Sequence, residues 1–239
     1  MVDRRDEAMT AATTEIGQEV AKLLWQAGAI RVSRQQPFIL AAGWASPVYI
    51  DCRLLISEPG WRRRVVALAA EYIKTNFATG DFDAIAGAET AGLPFAAWLA
   101  DALDLKLRYV RKRSLGVGHN AQVEGGTVEG LRVLLMDDLT TDGGSKLGFA
   151  RGLKAAGADV QHVLTIFYHD AFPGARERLG AAGLSLHALA TWADVLAADH
   201  GGRLSAEDSL EVRRFLADPV AWSTRQGGRS ASARRPASP

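Results

Sequence analysis

The chain has 239 residues, enough for one sizeable α/β domain, and its 28 Lys and Arg against 27 Asp and Glu leave a net charge of +1. That balance gives no electrostatic footprint for nucleic acid or for an anionic membrane. The one cysteine, Cys52, excludes an intramolecular disulfide and suits a reducing compartment. There is no apolar run of the roughly eighteen residues a membrane span needs, and the start, Met-Val-Asp-Arg-Arg-Asp-Glu, lacks an apolar signal core. The expectation is a cytoplasmic protein with neither a nucleic acid nor a membrane as partner.

Residues 1–12 are polar and read as a flexible N-terminus. Ile16, Val20, Leu23 and Leu24 at helical spacing predict a helix over 13–26, stopped by Gly28. Short strands are expected at 29–32, 38–41 and 48–51. A helix over 61–77 follows, with Arg62, Arg63 and Arg64 near its positive end, where cations need partners. The pattern then alternates: strand 83–87, helix 92–103, strands 106–111 and 131–136, helix 145–156, strand 160–168. Such alternation argues for a mostly parallel sheet with helices on both faces. A strand near 185–190, a short helix from Thr191 and a helix over 205–216 complete a single domain over 13–222. Residues 223–239 carry four Arg and no core-forming residues, and read as a disordered, solvated basic tail.

Residues 132–146 are the most informative stretch. The apolar run Val133 to Met136 predicts a strand buried on both faces. Asp137 and Asp138 follow, then the small-residue loop Leu139-Thr-Thr-Asp-Gly-Gly-Ser145, then a helix. Ligands bind beyond the carboxyl ends of strands in open α/β sheets. Gly143 and Gly144 let the backbone approach an anion, so amides of residues 140–145 suit a phosphate at a helix N-terminus. Thr140, Thr141 and Ser145 add hydroxyl donors. Carboxylates repel phosphate, so Asp137 and Asp138 suit the two hydroxyls of a ribose. A surface turn with acids near a helix start is the plainer reading, and the full strand-loop-helix context argues against it. Neither a Walker A loop nor a G-x-G-x-x-G fingerprint occurs, which argues against nucleoside triphosphatases and dinucleotide enzymes.

Two further segments have chemistry of their own. Gly87-Ala-Glu-Thr-Ala-Gly92 sits between a strand and a helix and offers amides and the Thr90 hydroxyl to a second anion. Arg111 to Gly125 is basic, contains Gly116 and Gly118 and has few apolar anchors, so a mobile loop is expected; a solvated charged hairpin is the plainer alternative.

The run from Asp137 to Ser145 resembles the phosphoribosyl pyrophosphate (PRPP) motif of type I phosphoribosyltransferases. Residues 37–53, 87–94 and 109–125, in order and spacing, narrow the resemblance to orotate phosphoribosyltransferases, over roughly residues 15–222. The resemblance implies a central, mostly parallel sheet flanked by helices, with a small hood lobe from N-terminal and C-terminal segments. It implies transfer of phosphoribose from PRPP to orotate, giving orotidine 5′-monophosphate and pyrophosphate in de novo pyrimidine (UMP) biosynthesis. Asp137, Asp138, Arg111 and Lys112 are carried over as catalytic. PRPP would be bound by Arg111, Lys112, His119, Asp137, Asp138, Leu139, Thr140, Thr141, Asp142, Gly143, Gly144, Ser145, Thr90 and Ala91. Orotate would meet Thr141 and Tyr49. Mg²⁺ is the implied cofactor, held mainly by PRPP and not by protein ligands. A homodimer is implied, with the 111–125 loop reaching the neighbouring site.

The chain also departs from the family pattern. Leu115 stands where the family has a loop lysine, and His119 where similar sequences carry Arg. Ala41 and Ala91 stand at lysine positions of some members. The family's orotate-contacting Arg has no counterpart within 167–170. Arg53 is a candidate neighbour for the orotate carboxylate or a member of a structural ion pair. Because of Leu115, a phosphoribosyltransferase with another acceptor, or a non-catalytic relative that binds PRPP, stays open as an alternative.

Overall fold

Three apolar runs can each be buried on both faces, and they become adjacent parallel strands: β5 (Ala84–Ala88), β8 (Arg132–Thr140) and β9 (Asp159–Tyr168). The computed structural model describes residues 4–114, 122–199 and 202–230. With β6 (Lys106–Val110), β7 (Val123–Glu124) and β10 (Ser185–Thr191) they form a six-stranded sheet in the order β10-β9-β8-β5-β6-β7. Only β7 runs antiparallel, to β6. The pleat sends Leu134 and Met136 into one core and Val133 and Leu135 into the other.

The first core is covered by α1 (Arg4–Gln26), α2 (Pro59–Asn76) and α3 (Gly92–Ala102), the second by α4 (Gly144–Ala155) and α5 (Ala175–Gly180). Helix α1 lies across β10, and its Gly17 is flush against Asp194, where a side chain would not fit. Asp194 belongs to α6 (Trp192–Ala197) and accepts from the Thr191 backbone N–H and hydroxyl at 2.8 and 2.9 Å, closing a capping box. Of the cations opening α2, Arg64 reaches Glu19 at 3.4 Å and Arg62 lies over the Trp98 ring.

Two small antiparallel ribbons form the hood: β1 (Ile30–Val32) with β4 (Val48–Ile50), and β2 (Phe38–Ile39) with β3 (Ala45–Ser46). A 3₁₀ helix, Cys52–Ile56, leads from β4 toward the end of β8. The C-terminal helices α7 (Ala206–Ala217) and α8 (Pro219–Arg225) pack on each other, and α8 packs on β3.

Near both ends the described residues depart from the expectation of unstructured segments. Helix α1 begins at Arg4 and not near 13, since residues 4–12 include the strong helix formers Ala8, Met9, Ala11 and Ala12 and extend an anchored helix. Residues 223–230 are not a loose tail. Ser223 accepts from the Ala45 amide at 2.9 Å, Gly228 is packed flush on Ala45, and the Arg229 amide donates to Gly43 at 2.8 Å. Trp222, only 5% exposed, anchors the segment, so tertiary contacts hold a stretch whose own composition would not. Residues 1–3 and 231–239 lie outside the described residues.

Candidate active site

Strand β8 runs through both acids to Thr140, so Asp137 and Asp138 are strand residues and not the start of a loop. Pairing with β9, Asp137 beside Thr165 and Thr140 beside Tyr168, overrides the poor strand propensity of Asp. Successive side chains of a strand point to opposite faces. Asp137 therefore faces α4, while Asp138 lies on the side of Cys52, where it is the strongest charge acting on that buried thiol. Burial, with Asp138 and other acids beside it, pushes the Cys52 thiol well above its ordinary range.

Both Asp137 oxygens are taken. Oδ1 accepts from the Asp138 amide at 2.9 Å and Oδ2 from Lys146 Nζ at 2.5 Å. Lys146, 3% exposed, comes from the first turn of α4. It also donates to the Leu139 carbonyl at 2.5 Å and to Ser145 Oγ at 3.3 Å. Asp138 is pushed up to about 7, first by burial and then by the negative Asp137 beside it, with Lys146 opposing the rise.

The loop between β8 and α4 is braced from outside. Gly143 has φ 75°, and a Cβ there would press on Leu179 at 3.0 Å, so the position requires glycine. Asp142 is engaged within the protein. Its Oδ1 accepts from the Gly144 amide at 3.0 Å, its Oδ2 lies 3.4 Å from Arg229 Nη1, and its carbonyl accepts from Arg178 Nη2 at 2.6 Å. The Gly144 amide is thus already used, contrary to the expectation that it points at phosphate. Thr140 is buried and its Oγ1 has no partner among the described residues, whereas Thr141 is half-buried and Ser145 is exposed. Leu139 is half-buried and contributes its carbonyl to Lys146.

The second glycine turn meets the end of β8. A Cβ on Gly92 would lie 2.9 Å from Asp137 Cα, so the turn packs directly on the acid pair. Thr90 is exposed beside it, and Ala91 is the N-cap of α3 with no side-chain cap bond. Glu89 Oε2 accepts from the Lys112 amide at 2.7 Å, which fixes the neck of the basic loop to this turn. At that neck Arg111 Nε donates to Glu124 at 3.0 Å and Nη2 to the Tyr109 hydroxyl at 3.2 Å. The Arg111 amide donates to the Gln122 carbonyl at 2.8 Å, and Gln122 Nε2 returns a bond to the Arg111 carbonyl at 2.9 Å. Leu115 and His119 lie outside the described residues.

The model of the phosphoribosyl transferase domain matches residues 57–177, the stretch holding both turns, the basic loop and the acid pair. Orotate phosphoribosyltransferase of Sinorhizobium fredii is 48% identical over 216 residues, 90% of this chain and 93% of that protein. The chain belongs to the orotate phosphoribosyltransferase family. It is an enzyme of the phosphoribosyltransferase type with the type I fold. The orotate phosphoribosyltransferase of Aeropyrum pernix superposes with a TM-score of 0.63 at 31% identity, over 74% of this chain and 97% of that one. That of Mycobacterium tuberculosis in complex with PRPP gives 0.58 at 25% identity, over 75% and 98%.

Tyr49, on β4, is half-buried. The Arg31 guanidinium lies 4.7 Å from its ring centroid, and Phe38 is 5.6 Å away. Arg53 forms a two-pronged pair with Asp51, Nε to Oδ1 at 2.7 Å and Nη2 to Oδ2 at 2.9 Å, which is the structural ion pair among its two expected roles. The residue that sequence reasoning missed is Lys146. Its signal was available: a cation in the first turn of a helix opposes the helix dipole and calls for an acid partner. Arg178 and Arg229, the braces of Asp142, carried no local signal.

Proposed function

We propose that the chain transfers the 5-phosphoribosyl group of PRPP to orotate, giving orotidine 5′-monophosphate and pyrophosphate on the de novo route to UMP. The observation that carries this reading is the acid pair at the end of β8, packed against the turn at Gly92 and leading into a braced glycine loop. The 5′-phosphate is held at Thr141 and Ser145 and the remaining loop amides at the start of α4. Asp138 takes the ribose hydroxyls and places negative charge beside the ring as positive charge develops at C1. The C1–O bond breaks with its electron pair leaving on pyrophosphate, toward Arg111, Lys112 and Thr90. An orotate ring nitrogen then supplies the pair that forms the new bond at C1, beside Tyr49 and Thr141, and its N–H proton is released to solvent. Positioning and electrostatics supply the rate, with no covalent enzyme nucleophile.

Among the described residues no group of three or more His, Cys, Asp or Glu is placed to hold a metal ion. With Asp137 occupied by Lys146, the donor set suits a Mg²⁺ that arrives on PRPP oxygens, as hard cations do with phosphates. Mg²⁺ when bound neutralises pyrophosphate charge. We further infer a cytoplasmic homodimer in which the 111–125 loop serves the neighbouring site.

A second reading is favoured by Leu115 and by the Arg31 cover on Tyr49: the same transfer to another base, or PRPP binding without turnover. The test follows the loss of orotate absorbance with PRPP and Mg²⁺, for the unaltered protein and for Leu115→Lys. Uracil and purines are run as competitors. Turnover of orotate by the unaltered protein supports the first reading. Silence restored by Leu115→Lys marks a disabled loop, and a different base winning the competition would replace orotate as acceptor.

A further inference from the structure

An ammonium group has three donors, and those of Lys146 are all used: on Asp137 Oδ2, on the Leu139 carbonyl and on Ser145 Oγ. These acceptors lie on the acid pair and on the two ends of the phosphate loop. One buried nitrogen therefore joins the ribose-holding element to the phosphate-holding element. Placing a lysine in the interior is not an economical way to stabilise a fold, because apolar residues of similar volume serve as well or better. Its position also opposes the dipole of α4. The arrangement makes sense through what it does to the site.

We propose that Lys146 is a positioning residue for phosphoribosyl transfer, holding Asp137 and the phosphate loop in register and leaving Asp138 as the acid that meets substrate. The inference rests on the reading of the site given above. Two ionised carboxylates side by side would present a double negative charge to a substrate that is itself a polyanion. With Lys146 between Asp137 and the loop, the unit of two acids and one ammonium carries a single negative charge when Asp138 is ionised. Among the described residues the other groups facing the pair do not supply that balance. The 3₁₀ helix brings the Cys52 thiol, and its Arg53 is paired with Asp51. Thr165 of β9 and Gly92 of α3 bring no charge. Lys146 is the cation that opposes the rise of Asp138, so its removal must drive Asp138 further up.

The experiment compares the unaltered protein with Lys146→Met and Lys146→Gln. Kinetics are measured across pH, and the aspartate carboxyls are followed by ¹³C NMR without substrate. Lys146→Gln keeps amide donors for Leu139 and Ser145 but no charge, and carries the test if Lys146→Met does not fold. We expect kcat/KM for PRPP to fall about 100-fold. The acid limb of its pH profile, and the Asp138 carboxyl titration, should move up by about one pH unit. An arginine replacement should not rescue, because a planar fork cannot reproduce three divergent donors. A folded, less stable Lys146→Gln with the kinetic limb and the Asp138 titration unmoved would overturn the proposal and leave Lys146 a packing residue. If the unaltered protein turned over no base at all, the proposed function would fall, and the carboxyl titration would still decide whether Lys146 governs the acid pair.

Discussion

The two ends of the central sheet solve different problems with the same strands. At the carboxyl end, β8 delivers two acids, α4 a buried ammonium and α3 a glycine pressed against the β8 backbone, an arrangement that stores unlike charges in a dry place. At the amino end, Phe77 meets Phe82 at 4.9 Å, His162 at 5.0 Å and His187 at 5.1 Å between ring centroids. There Tyr72 Oη lies 3.1 Å from His187 Nδ1, whose ring lies 3.1 Å from His162 through Nε2 and Nδ1. In the tautomer with a proton on His187 Nε2, the hydrogen bonds run without any charge. The lesson is a separation of labour: one end buries its charges beside the loop, and the other buries neutral aromatic contacts and leaves its ion pair, Arg132 Nη2 to Asp83 Oδ1 at 2.8 Å, at the surface.

That separation breaks most visibly at Asp138. Asp138→Asn should lower kcat/KM about 10²–10³-fold in the orotate absorbance assay. Its melting temperature should not drop, because a buried acid is relieved. Phe82→Ala, at the other end, should do the reverse. It opens a void beside Phe77 and His162 and should lower unfolding free energy in urea by about 3–4 kcal/mol, with kcat kept below the melting point. A loss of kcat equal to that of Asp138→Asn would show that the two ends are not independent.

Acid sharpens the comparison. Burial lowers His169, behind the phosphate loop, and His187, at the aromatic end, from 6.5 to about 4. A histidine kept neutral in the fold but free to charge when unfolded contributes stability that is complete above 6.5 and is lost as pH falls toward 4. Protonating His169 would also break the bond its Nδ1 accepts from Trp192 Nε1 at 3.2 Å. For fully buried His169 the loss is on the order of 3 kcal/mol. Melting curves from pH 7 to 4 should therefore fall steeply, and His169→Gln and His187→Gln should each flatten part of the slope. Smallest is the effect of Arg229→Ala, which removes one of two braces on Asp142. We expect about 1 kcal/mol, read as a KM for PRPP raised about five-fold with kcat nearly unchanged.

Much of the carboxyl end is legible in the linear chain, because local chemistry dictates it. The apolar run of β8, the acids and the glycines at 143 and 144 each announce a role through composition and backbone freedom. What escapes depends on partners far away in sequence. Asp137 to Thr140 look like loop until β9 pairs with them at 165–168. The two-residue strand β7 is too short for any period to register. Arg229 sits in a stretch with no apolar pattern, and only Trp44 beneath it and Asp142 beside it reveal a function. Lys146 lay between these cases. Its conflict with the helix dipole is local, but the acid that resolves it is buried nine positions away.

Helix α1 carries a consequence for how the molecule assembles. It covers β10, and its Trp25 donates at 3.4 Å to the carbonyl of Val195, 170 positions away. Closing so large a loop is entropically unfavourable until the contacts at its ends exist. The docking of the first helix, begun on α2, is completed only after β10 and α6 are laid down. Folding should therefore be slow and governed by long-range closure, with hydrogen exchange along α1 tracking the docking of β10.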